Sequence, residues 1–529
     1  MKTWFYLYSS IATFLWVAIS YVNCQAAIYG QFDFIGYSGV SSMHAILSPK
    51  TNKVLFIERV ELSTNVNING KPTYSVEFDL TTNEIRPLTT LSNTFCSAGS
   101  YLPNGTVVNL AGAEAKQGVV QGFNQIRLFN PCNNGTCDWH NDVYTLHANR
   151  WYPTVEQLSD GTLFIIGGTT SGASVNNATV NEPTFETYPS IPSITGTKPV
   201  PFQFLIDTLP YNLYPCVHLL PDGSLFILAN TNVTIIDTTT WKIKSTLPSI
   251  PGPPRNYPLT GGCMLLPLDP NNNYQPEVLV CGGGNNNGSS NLKNVKGEVT
   301  CGRISPLSNN PTWEMESMPF GRVMPDITML ADGTALILNG CNHGTAGFNK
   351  CSDPVLTPVL YNPKAPAGSR FTKMQSSYIP RMYHSIALSV PSGQVLVSGS
   401  NPNNNPSGLG PFPTEFRVEL FSPPYLFTSV PQPQIILAPD NLQYGQTFEI
   451  DYKAFSGTHN VTANIHNPGF VTHSTHMSQR LVWLEISSSD NGKLSLKAPA
   501  NGAIAPPGPY LLRVLDNGNQ VWSSSCKDI

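Results

Sequence analysis

A turn followed by a short apolar run recurs seven times between residues 40 and 400, and this repeat restricts the chain to few architectures. The seven copies begin at Thr51, Asn104, Asp160, Asp222, Gln275, Asp332 and Ser392. Their first residues are separated by 53, 56, 62, 53, 57 and 60 positions. Asp-Gly before alternating apolar residues is a strong hairpin signal. A near-constant period of this size is typical of a propeller or of another repeat array.

The repeat predicts an all-β chain with a seven-bladed, kelch-like β-propeller over residues 25–430. Closing seven four-stranded blades into a ring leaves few exposed sheet edges, which suits a β-rich chain of this length. After Ser422-Pro-Pro-Tyr425 the repeat stops, and residues 431–529 carry short alternating strands instead. They predict a C-terminal immunoglobulin-like β-sandwich. Its expected strands begin near Gln434, Phe448, Val482 and Tyr510.

Residues 1–24 have the pattern of a secretory signal peptide. Lys2 is the only charged residue before Glu58, and it precedes an apolar, aromatic stretch over residues 4–22. Cleavage after Cys24 would leave Gln25 as the new N-terminus. An uncleaved signal anchor is the alternative, because the stretch approaches the length that spans a bilayer.

Six Asn-X-Ser/Thr sequons also indicate export and glycosylation, which makes the expected product a secreted, extracellular protein. They begin at Asn104, Asn134, Asn177, Asn232, Asn287 and Asn460. After signal cleavage we expect no membrane association, since no further apolar run approaches about 18 residues. Lys and Arg number 29 against 33 Asp and Glu, a net charge of −4, so the chain lacks the basic surface that binds nucleic acid.

The phase of the repeat selects candidate site residues, because positions at one phase lie at one height in successive blades. Eight positions before the turn lie Met43, Cys96, Tyr152, Tyr214 and Met324. Tyr383 lies nine positions before its own turn, which we attribute to a slightly longer link, and His384 follows it. We therefore expect Cys96, Tyr152 and Tyr383 to meet near one mouth of the ring. A Tyr-His pair alone is a weak signal, since a buried Tyr beside a hydrogen-bonded His is common.

Four strings in the chain resemble the active-site strings of the copper radical oxidases, the galactose oxidase and glyoxal oxidase family. They are Phe95-Cys-Ser-Ala-Gly-Ser, Arg150-Trp-Tyr-Pro, Arg381-Met-Tyr-His-Ser and Thr472-His-Ser-Thr-His-Met-Ser-Gln-Arg. The resemblance is strongest to the glyoxal oxidase branch and extends over almost all of the mature chain. Several ordered matches over this length form a specific signal.

Carried over residue by residue, the resemblance implies a copper site with a covalent cofactor. Tyr152 matches the tyrosine that a thioether bond joins to a cysteine, which would be Cys96. Tyr383 matches the axial tyrosine, and His384 matches one copper imidazole. The second imidazole would be His473, delivered by a loop of the C-terminal domain.

His476 competes with His473 for the second imidazole, but the family pattern places this ligand directly after Thr, which favours His473. Imidazole and phenolate suit Cu(II) in a tetragonal site with one position open for substrate. One copper ion and one cross-linked tyrosyl radical at Cys96–Tyr152 would provide the two redox groups that a two-electron oxidation needs.

The family mechanism implies that an alcohol or hydrated aldehyde gives its proton to Tyr383 and its carbon-bound hydrogen to the Tyr152 radical. O₂ would be the electron acceptor and hydrogen peroxide the product. A peroxide source of this kind would couple to a peroxidase or to cell-wall chemistry.

One departure from the family pattern bears on the substrate. Galactose oxidase has a Trp over the cross-linked tyrosine shortly after a Gly-Gly pair, whereas here Gly167-Gly-Thr-Thr170 places a Thr there. The resemblance therefore favours small aldehydes such as glyoxal or methylglyoxal over a hexose. Another aromatic residue could cover the tyrosine, and the sequence does not identify it.

Two alternatives stay open at this point. The first is a primary alcohol oxidase of the same family. The second is a non-catalytic extracellular propeller that binds a glycan or a protein.

The eleven cysteines are an odd number, of which Cys24 would leave with the signal peptide. Assigning Cys96 to the thioether leaves nine. The expected disulfides are Cys132–Cys137, Cys281–Cys301 and Cys341–Cys351. Cys216, Cys263 and Cys526 are left over, so at least one thiol would be unpaired or intermolecular, with Cys526 the most exposed candidate.

Overall fold

The structure is a computed structural model of the 529-residue chain. It describes residue 26 and residues 28–60, 66–172, 176–196, 198–288, 292, 295–404, 411–427, 433–453, 460–490, 492–516, 519–520 and 524–528. The predicted signal peptide, with Cys24, lies outside the described residues. Among those residues, no helix combines the length and apolar character needed to cross a membrane.

The first half of the chain forms one N-terminal strand and four blades. In chain order its strands are β1 (Gln31–Tyr37), β2 (His44–Ser48), β3 (Lys53–Ile57), β4 (Asn67–Ile68), β5 (Lys71–Pro72), β6 (Ser75–Asp79), β7 (Ile85–Leu88), β8 (Ala98–Tyr101), β9 (Val107–Leu110), β10 (Ile126–Phe129), β11 (Trp139–Asn141), β12 (Thr154–Gln157), β13 (Leu163–Ile166), β14 (Thr184–Tyr188), β15 (Val200–Pro201), β16 (Cys216–Leu219), β17 (Leu225–Ala229), β18 (Asn232–Asp237) and β19 (Lys242–Leu247). Blade 1 contains β2, β3, β6 and β7, and blades 2, 3 and 4 contain β8–β11, β12–β15 and β16–β19. Strands β4 and β5 form a separate hairpin. The short helices are α1 (Pro192–Thr195) and α2 (Phe204–Asp207).

Three further blades follow. Their strands are β20 (Gly262–Leu265), β21 (Val278–Cys281), β22 (Gly284–Asn285), β23 (Lys296–Ile304), β24 (Glu314–Arg322), β25 (Asp326–Met329), β26 (Ala335–Leu338), β27 (Cys341–Gly344), β28 (Cys351–Pro354), β29 (Val359–Tyr361), β30 (Phe371–Lys373), β31 (Ser385–Ser389), β32 (Val395–Gly399) and β33 (Arg417–Ser422). Blade 5 contains β20, β21, β23 and β24, and blade 6 contains β25, β26, β29 and β30. Two 3-10 helices span Pro270–Asn272 and Pro424–Leu426.

The predicted all-β fold with seven blades is confirmed, and the repeated turns show why the blades form. Each of the seven turns connects the first and second strands of a blade. In the Asp-Gly copies the carboxylate of Asp160, Asp222 or Asp332 accepts a hydrogen bond from the backbone N–H two residues on. The glycine that follows each aspartate has a φ of +80° to +86°, a conformation that L side chains rarely adopt.

Ring closure uses a strand that the repeat did not reveal. Strand β1 pairs antiparallel with β33, so blade 7 consists of β31, β32, β33 and the N-terminal strand. The first and last strands of the propeller are therefore joined by backbone hydrogen bonds, and the N-terminal strand supplies the outermost strand of the last blade.

The C-terminal domain is a sandwich of two sheets, as predicted. Its strands are β34 (Gln434–Leu437), β35 (Thr447–Lys453), β36 (Val461–Asn467), β37 (Phe470–Thr472), β38 (Thr475–Met477), β39 (Arg480–Trp483), β40 (Glu485–Asp490), β41 (Lys493–Lys497), β42 (Pro509–Asp516), β43 (Asn519–Gln520) and β44 (Ser524–Asp528). One sheet has the order β34-β35-β41-β40, and the other contains β39, β36, β42, β43 and β44. The single strand expected near Val482 is wrong, because β39 and β40 belong to different sheets and the chain passes between them at Leu484.

Strands β37 and β38 leave the sandwich as a hairpin and enter the propeller channel. Strand β37 pairs with β2 of blade 1, and Thr475 of β38 forms a parallel bridge with Cys263 of β20 in blade 5. The residues that follow the hairpin bind the inner strands of other blades. Ser478 accepts a hydrogen bond from Gln157 N, and Gln479 Oε1 accepts one from Met329 N at 2.7 Å. The hairpin is therefore held on several sides by the ring.

Four disulfides are present in the described part of the chain. The three predicted pairs, Cys132–Cys137, Cys281–Cys301 and Cys341–Cys351, are confirmed. The fourth joins Cys216 and Cys263, which the sequence left unassigned, and it links the innermost strands of blades 4 and 5. Cys96 is buried and forms no disulfide with any of the cysteines whose side chains the structure describes. The side chain of Cys526 lies outside the described residues.

We predict that the disulfide between blades contributes more to stability than the loop disulfide in blade 2. Cys216–Cys263 closes a sequence separation of 47 residues and Cys132–Cys137 one of 5. By loop-closure entropy, serine replacement of the first pair should lower the free energy of unfolding by about 4 kcal/mol and that of the second by about 2 kcal/mol. Denaturant unfolding of the two double variants measures the difference. Equal losses would contradict this ranking.

Candidate functional site

The repeat positions that face the channel have a left-handed backbone, which explains how side chains from distant blades converge. Cys96, Tyr152, Tyr214 and Met324 have φ values of 51°, 62°, 47° and 59°. In blade 7 the equivalent residue is His384, with a φ of 66°, eight positions before Ser392. The longer link that we inferred for this blade is therefore wrong, and Tyr383 precedes the repeat position. A left-handed backbone conformation costs free energy in any residue other than glycine, so it persists only where contacts with the surrounding structure hold it.

Buried arginines hold the backbone near four channel-facing residues, two of which, Tyr152 and Met324, are left-handed. Each arginine lies two residues before such a residue and donates from Nη1 to a backbone carbonyl at or just after the end of the second strand of a blade. They are Arg150 to Gly167 O at 2.8 Å, Arg255 to Gly282 O at 2.6 Å, Arg322 to Asn339 O at 2.9 Å and Arg381 to Gly399 O at 2.9 Å. The residues they position are Tyr152, Tyr257, Met324 and Tyr383.

The structure brings all five residues selected from the sequence into one buried cluster. Cys96 Sγ lies 3.3 Å from His473 Nε2, and ligand atoms of Cys96, His384 and His473 lie within 4.8 Å of one another. The Tyr383 ring stacks on His384 with centroids 3.7 Å apart and lies 5.4 Å from the His473 ring. The Tyr152 ring lies 5.9 Å from that of His473.

The hairpin determines which nitrogen of His473 faces this cluster. His473 and Ser474 form its tip, with φ values of 48° and 64°. Thr472 Oγ1 lies 2.6 Å from His473 Nδ1, so Nδ1 is occupied and Nε2 points toward Cys96. His476, the competing residue, faces away, because its Nε2 lies 3.2 Å from Asp326 Oδ1.

Burial keeps the ionisable groups of the cluster neutral in the absence of a bound cation. Desolvation lowers the pKa of both His384 and His473 well below the usual range, and their neutral imidazoles can donate to a metal. Desolvation also raises the pKa of Tyr152, Tyr383 and Cys96, which favours their protonated forms. A cation in the cluster would lower the pKa of the phenols and so favour the phenolates, and it would also keep the imidazoles neutral.

The donor set fits a copper ion. Both ring nitrogens of His384 are buried, and neither makes a hydrogen bond of good geometry to a described residue, although a backbone group of Asn401 lies near the ring. Buried polar atoms normally have a partner, so an orphaned imidazole beside a second imidazole and two phenols calls for a ligand. Imidazole and phenolate oxygen are donors that Cu(II) accepts readily.

The aromatic residue that covers Tyr152 is Trp151, its direct neighbour in the chain. The two rings stack at 5.2 Å with an interplanar angle of 22°. Gly172 makes room for the indole, because a Cβ at that position would lie 1.8 Å from Cζ3 of Trp151. Thr170 donates its backbone N–H to Val180 O instead of covering the ring.

Two further tyrosines complete the cluster, and the sequence did not assign them. Tyr214 lies 5.1 Å from the His473 ring, and its hydroxyl donates to Ser97 O. Tyr257 lies 4.7 Å from the Tyr152 ring, with its hydroxyl 3.5 Å from that of Tyr383. Tyr214 was at the expected phase, whereas Tyr257 is 18 positions before its turn. The shared pattern of Arg, any residue and Tyr could have identified it.

Half-buried aromatic rings border the cluster on the side of His384. Phe95 and Phe348 lie edge to face with the imidazole at 5.8 and 5.4 Å. The Arg59 guanidinium lies over Phe348, 4.1 Å from the ring centroid. This side of the cluster is therefore bordered by aromatic rings, with the Arg59 cation packed against one of them.

Family models match both parts of the chain. The model "Glyoxal oxidase N-terminus" matches residues 60–425, and the model "Galactose oxidase-like, Early set domain" matches residues 432–525. Aldehyde oxidase GLOX of Vitis pseudoreticulata is 35% identical over 511 residues, covering 91% of this chain and 93% of the relative. Aldehyde oxidase GLOX1 of Arabidopsis thaliana is 35% identical over 530 residues, covering 92% and 83%.

The fold is shared with a solved structure of a fungal alcohol oxidase in complex with copper. The two superpose with a TM-score of 0.72 at 18% identity, over 95% of this chain and 99% of the other. The chain therefore belongs to the copper radical oxidases, the family of glyoxal oxidase and galactose oxidase, and is an oxidase. Membership of this oxidase family argues against the alternative of a non-catalytic propeller that binds a glycan or a protein.

Proposed function

We propose that the chain oxidises small aldehydes, of the glyoxal or methylglyoxal type, to carboxylic acids and reduces O₂ to H₂O₂. The observation that carries the proposal is the convergence of Cys96, Tyr152, Tyr383, His384 and His473 in one buried cluster. These residue types supply metal donors, a base and a second redox group within one site.

Tyr152, Tyr383, His384 and His473 would hold the copper ion. His384 offers an imidazole without a protein partner, and the hairpin turns His473 Nε2 toward the same space. When bound there, copper supplies one of the two oxidising equivalents, and O₂ restores it.

The second oxidising equivalent would reside on Tyr152 linked to Cys96. The thiol is buried beside the ring and forms no disulfide with another described cysteine. The two residues are held together because Tyr152 N donates to Cys96 O. A thioether carbon–sulfur bond to the ring would make the phenol easier to oxidise. Trp151 covers one face of that ring and would shield the oxidised form from water and reductants.

Tyr383 and Tyr152 would have different roles in the oxidation of the substrate. The Tyr383 oxygen takes the hydroxyl proton of the hydrated aldehyde, and oxidised Tyr152 takes the hydrogen atom from its carbon. One O–H and one C–H bond break in the substrate, and one O–H bond forms on each tyrosine. Over the whole cycle RCH(OH)₂ and O₂ give RCOOH and H₂O₂.

A small substrate is supported by the rings around the site. Trp151 lies flat on Tyr152, and Phe95 and Phe348 border His384, so the approach is aromatic and offers few groups for the many hydroxyls of a hexose. The curated relatives at 35% identity are named aldehyde oxidases.

The proposal includes export from the cell and glycosylation. Five of the six sequon asparagines are exposed and Asn232 is half-buried, so attached glycans would meet little obstruction. Four disulfides suit an oxidising compartment. Peroxide released there could serve a peroxidase or cell-wall chemistry.

We predict that His384→Gln and His473→Gln each lower the affinity for Cu(II) by roughly 100-fold or more, because each removes a donor. His466→Gln is the matched control: His466 is buried with both ring nitrogens unpartnered, yet it lies outside the cluster. Competition with a coloured chelator measures the affinities. Similar losses in all three variants would instead indicate damage to the fold.

We predict that copper-loaded, preoxidised protein releases hydrogen peroxide from glyoxal and methylglyoxal. Because the apolar approach suits small substrates, kcat/KM should exceed that for galactose by tenfold or more. A peroxidase-coupled assay of aldehydes beside primary alcohols measures it, with Tyr383→Phe as the inactive control. Faster turnover of alcohols would establish the alcohol oxidase alternative, and absence of peroxide from every substrate would overturn the proposal.

A further inference from the structure

We propose that Tyr257 is a third catalytic phenol of this centre, whose hydroxyl forms a hydrogen bond with Tyr383 during proton transfer and whose ring supports Tyr152. The inference rests on the proposed function, because it assigns a role in the reaction of the same cluster. It adds a residue that belongs to none of the four active-site strings.

The contacts place Tyr257 between the two tyrosines that react with substrate. Its hydroxyl lies 3.5 Å from the hydroxyl of Tyr383. Its ring centroid lies 4.7 Å from that of Tyr152, at an interplanar angle of 36°, and 6.4 Å from that of His473. Only 6% of the residue is exposed, so its hydroxyl meets these groups and not bulk solvent.

Tyr257 is positioned by the same device as Tyr152 and Tyr383. Arg255, two residues earlier, is buried and donates to Gly282 O at 2.6 Å, as Arg150 and Arg381 do in their blades. A backbone bridge between Tyr257 and Leu213 adds a second constraint. The backbone of Tyr257 is therefore held at two points, which keeps its ring against Tyr152.

The hydroxyl of the neighbouring Tyr214 has a different use. It donates to Ser97 O at 3.1 Å, so its proton is committed to a backbone carbonyl. The Tyr257 hydroxyl instead meets another phenol oxygen. A phenol both donates and accepts hydrogen bonds, so this pair can exchange roles.

This exchange of donor and acceptor would accompany the transfer of the substrate hydroxyl proton to Tyr383. While Tyr383 is a phenolate, the Tyr257 O–H donates to its oxygen. When the substrate O–H bond breaks and the proton joins the Tyr383 oxygen, the new Tyr383 O–H donates to the Tyr257 oxygen. Tyr257 keeps its own proton throughout, so one O–H bond breaks in the substrate and one forms on Tyr383.

Tyr257→Phe tests the role, because it keeps the ring against Tyr152 and removes only the hydroxyl. The hydrogen bond stabilises the Tyr383 phenolate more than the Tyr383 phenol, so its removal should change kcat by roughly tenfold or more, with a smaller effect on KM. The visible and EPR spectra of the copper-loaded variant should also change, because a phenolate donor has lost its hydrogen bond. These spectra do not depend on turnover.

Tyr425→Phe is the matched control. The Tyr425 hydroxyl is likewise buried and donates to Gly393 O at 2.6 Å, outside the cluster. This variant should keep the kcat and spectra of the parent. If Tyr257→Phe also keeps both, the hydroxyl has no catalytic role and the inference is overturned.

Site-specific 3-fluorotyrosine at position 257 provides a second test if Tyr257→Phe does not fold. It preserves the ring and hydroxyl while making the hydroxyl more acidic, so kcat and spectra should shift with an unchanged melting temperature. Parent kcat and spectra in a folded fluorotyrosine protein would overturn the inference. If the parent itself produces no peroxide, the proposed function fails, and the spectra still decide whether Tyr257 contacts the phenolate.

Discussion

The site depends on one structural constraint, the entry of the β37–β38 hairpin into the channel of the ring. The propeller contributes Cys96, Tyr152, Tyr383 and His384, but the second imidazole comes from a separate domain. Backbone pairing with blade 1, the bridge to Cys263 in blade 5 and side-chain hydrogen bonds to inner strands hold the hairpin in place. The cluster is therefore complete only when the two domains are docked, and the disulfide Cys216–Cys263 links the two blades on one side of the hairpin.

Burial determines the protonation states of the imidazoles and phenols in the cluster. Without a cation, desolvation keeps the imidazoles neutral and the phenols protonated, so the metal-free cluster carries little charge. A metal would reverse that preference for the phenols and organise them as ligand and base. The stacked Trp151 and the edge-to-face Phe95 and Phe348 border the cluster with aromatic rings. Such surroundings would suit the proposed oxidation of Tyr152, because they exclude water from the ring.

Most of the fold was predictable because its determinants are local. Asp-Gly turns and short apolar runs specify a hairpin without reference to the rest of the chain, and seven of them specify the ring. Closure by β1, the passage between sheets at Leu484 and the Cys216–Cys263 bond depend on contacts between distant segments, so no local pattern revealed them. At the site, repeat phase and family resemblance identified the residues that converge. Tyr257 was missed because the connection between β20 and β21 is longer than its counterpart in the other blades, which moves the turn away from the channel-facing residues. Trp151 was missed because it covers Tyr152 from the adjacent position in the chain instead of a distant one.

The central claim is that Cys96 and Tyr152 form one redox group, and peptide mapping tests it most directly. Protein exposed to copper and O₂ is reduced, alkylated and digested, with metal-free protein treated in parallel. The account predicts a linked peptide that contains both residues, is lighter than the two separate peptides by two hydrogen atoms, and survives reductant. Fully alkylated Cys96 and an unmodified Tyr152 peptide in the copper-treated protein would contradict it.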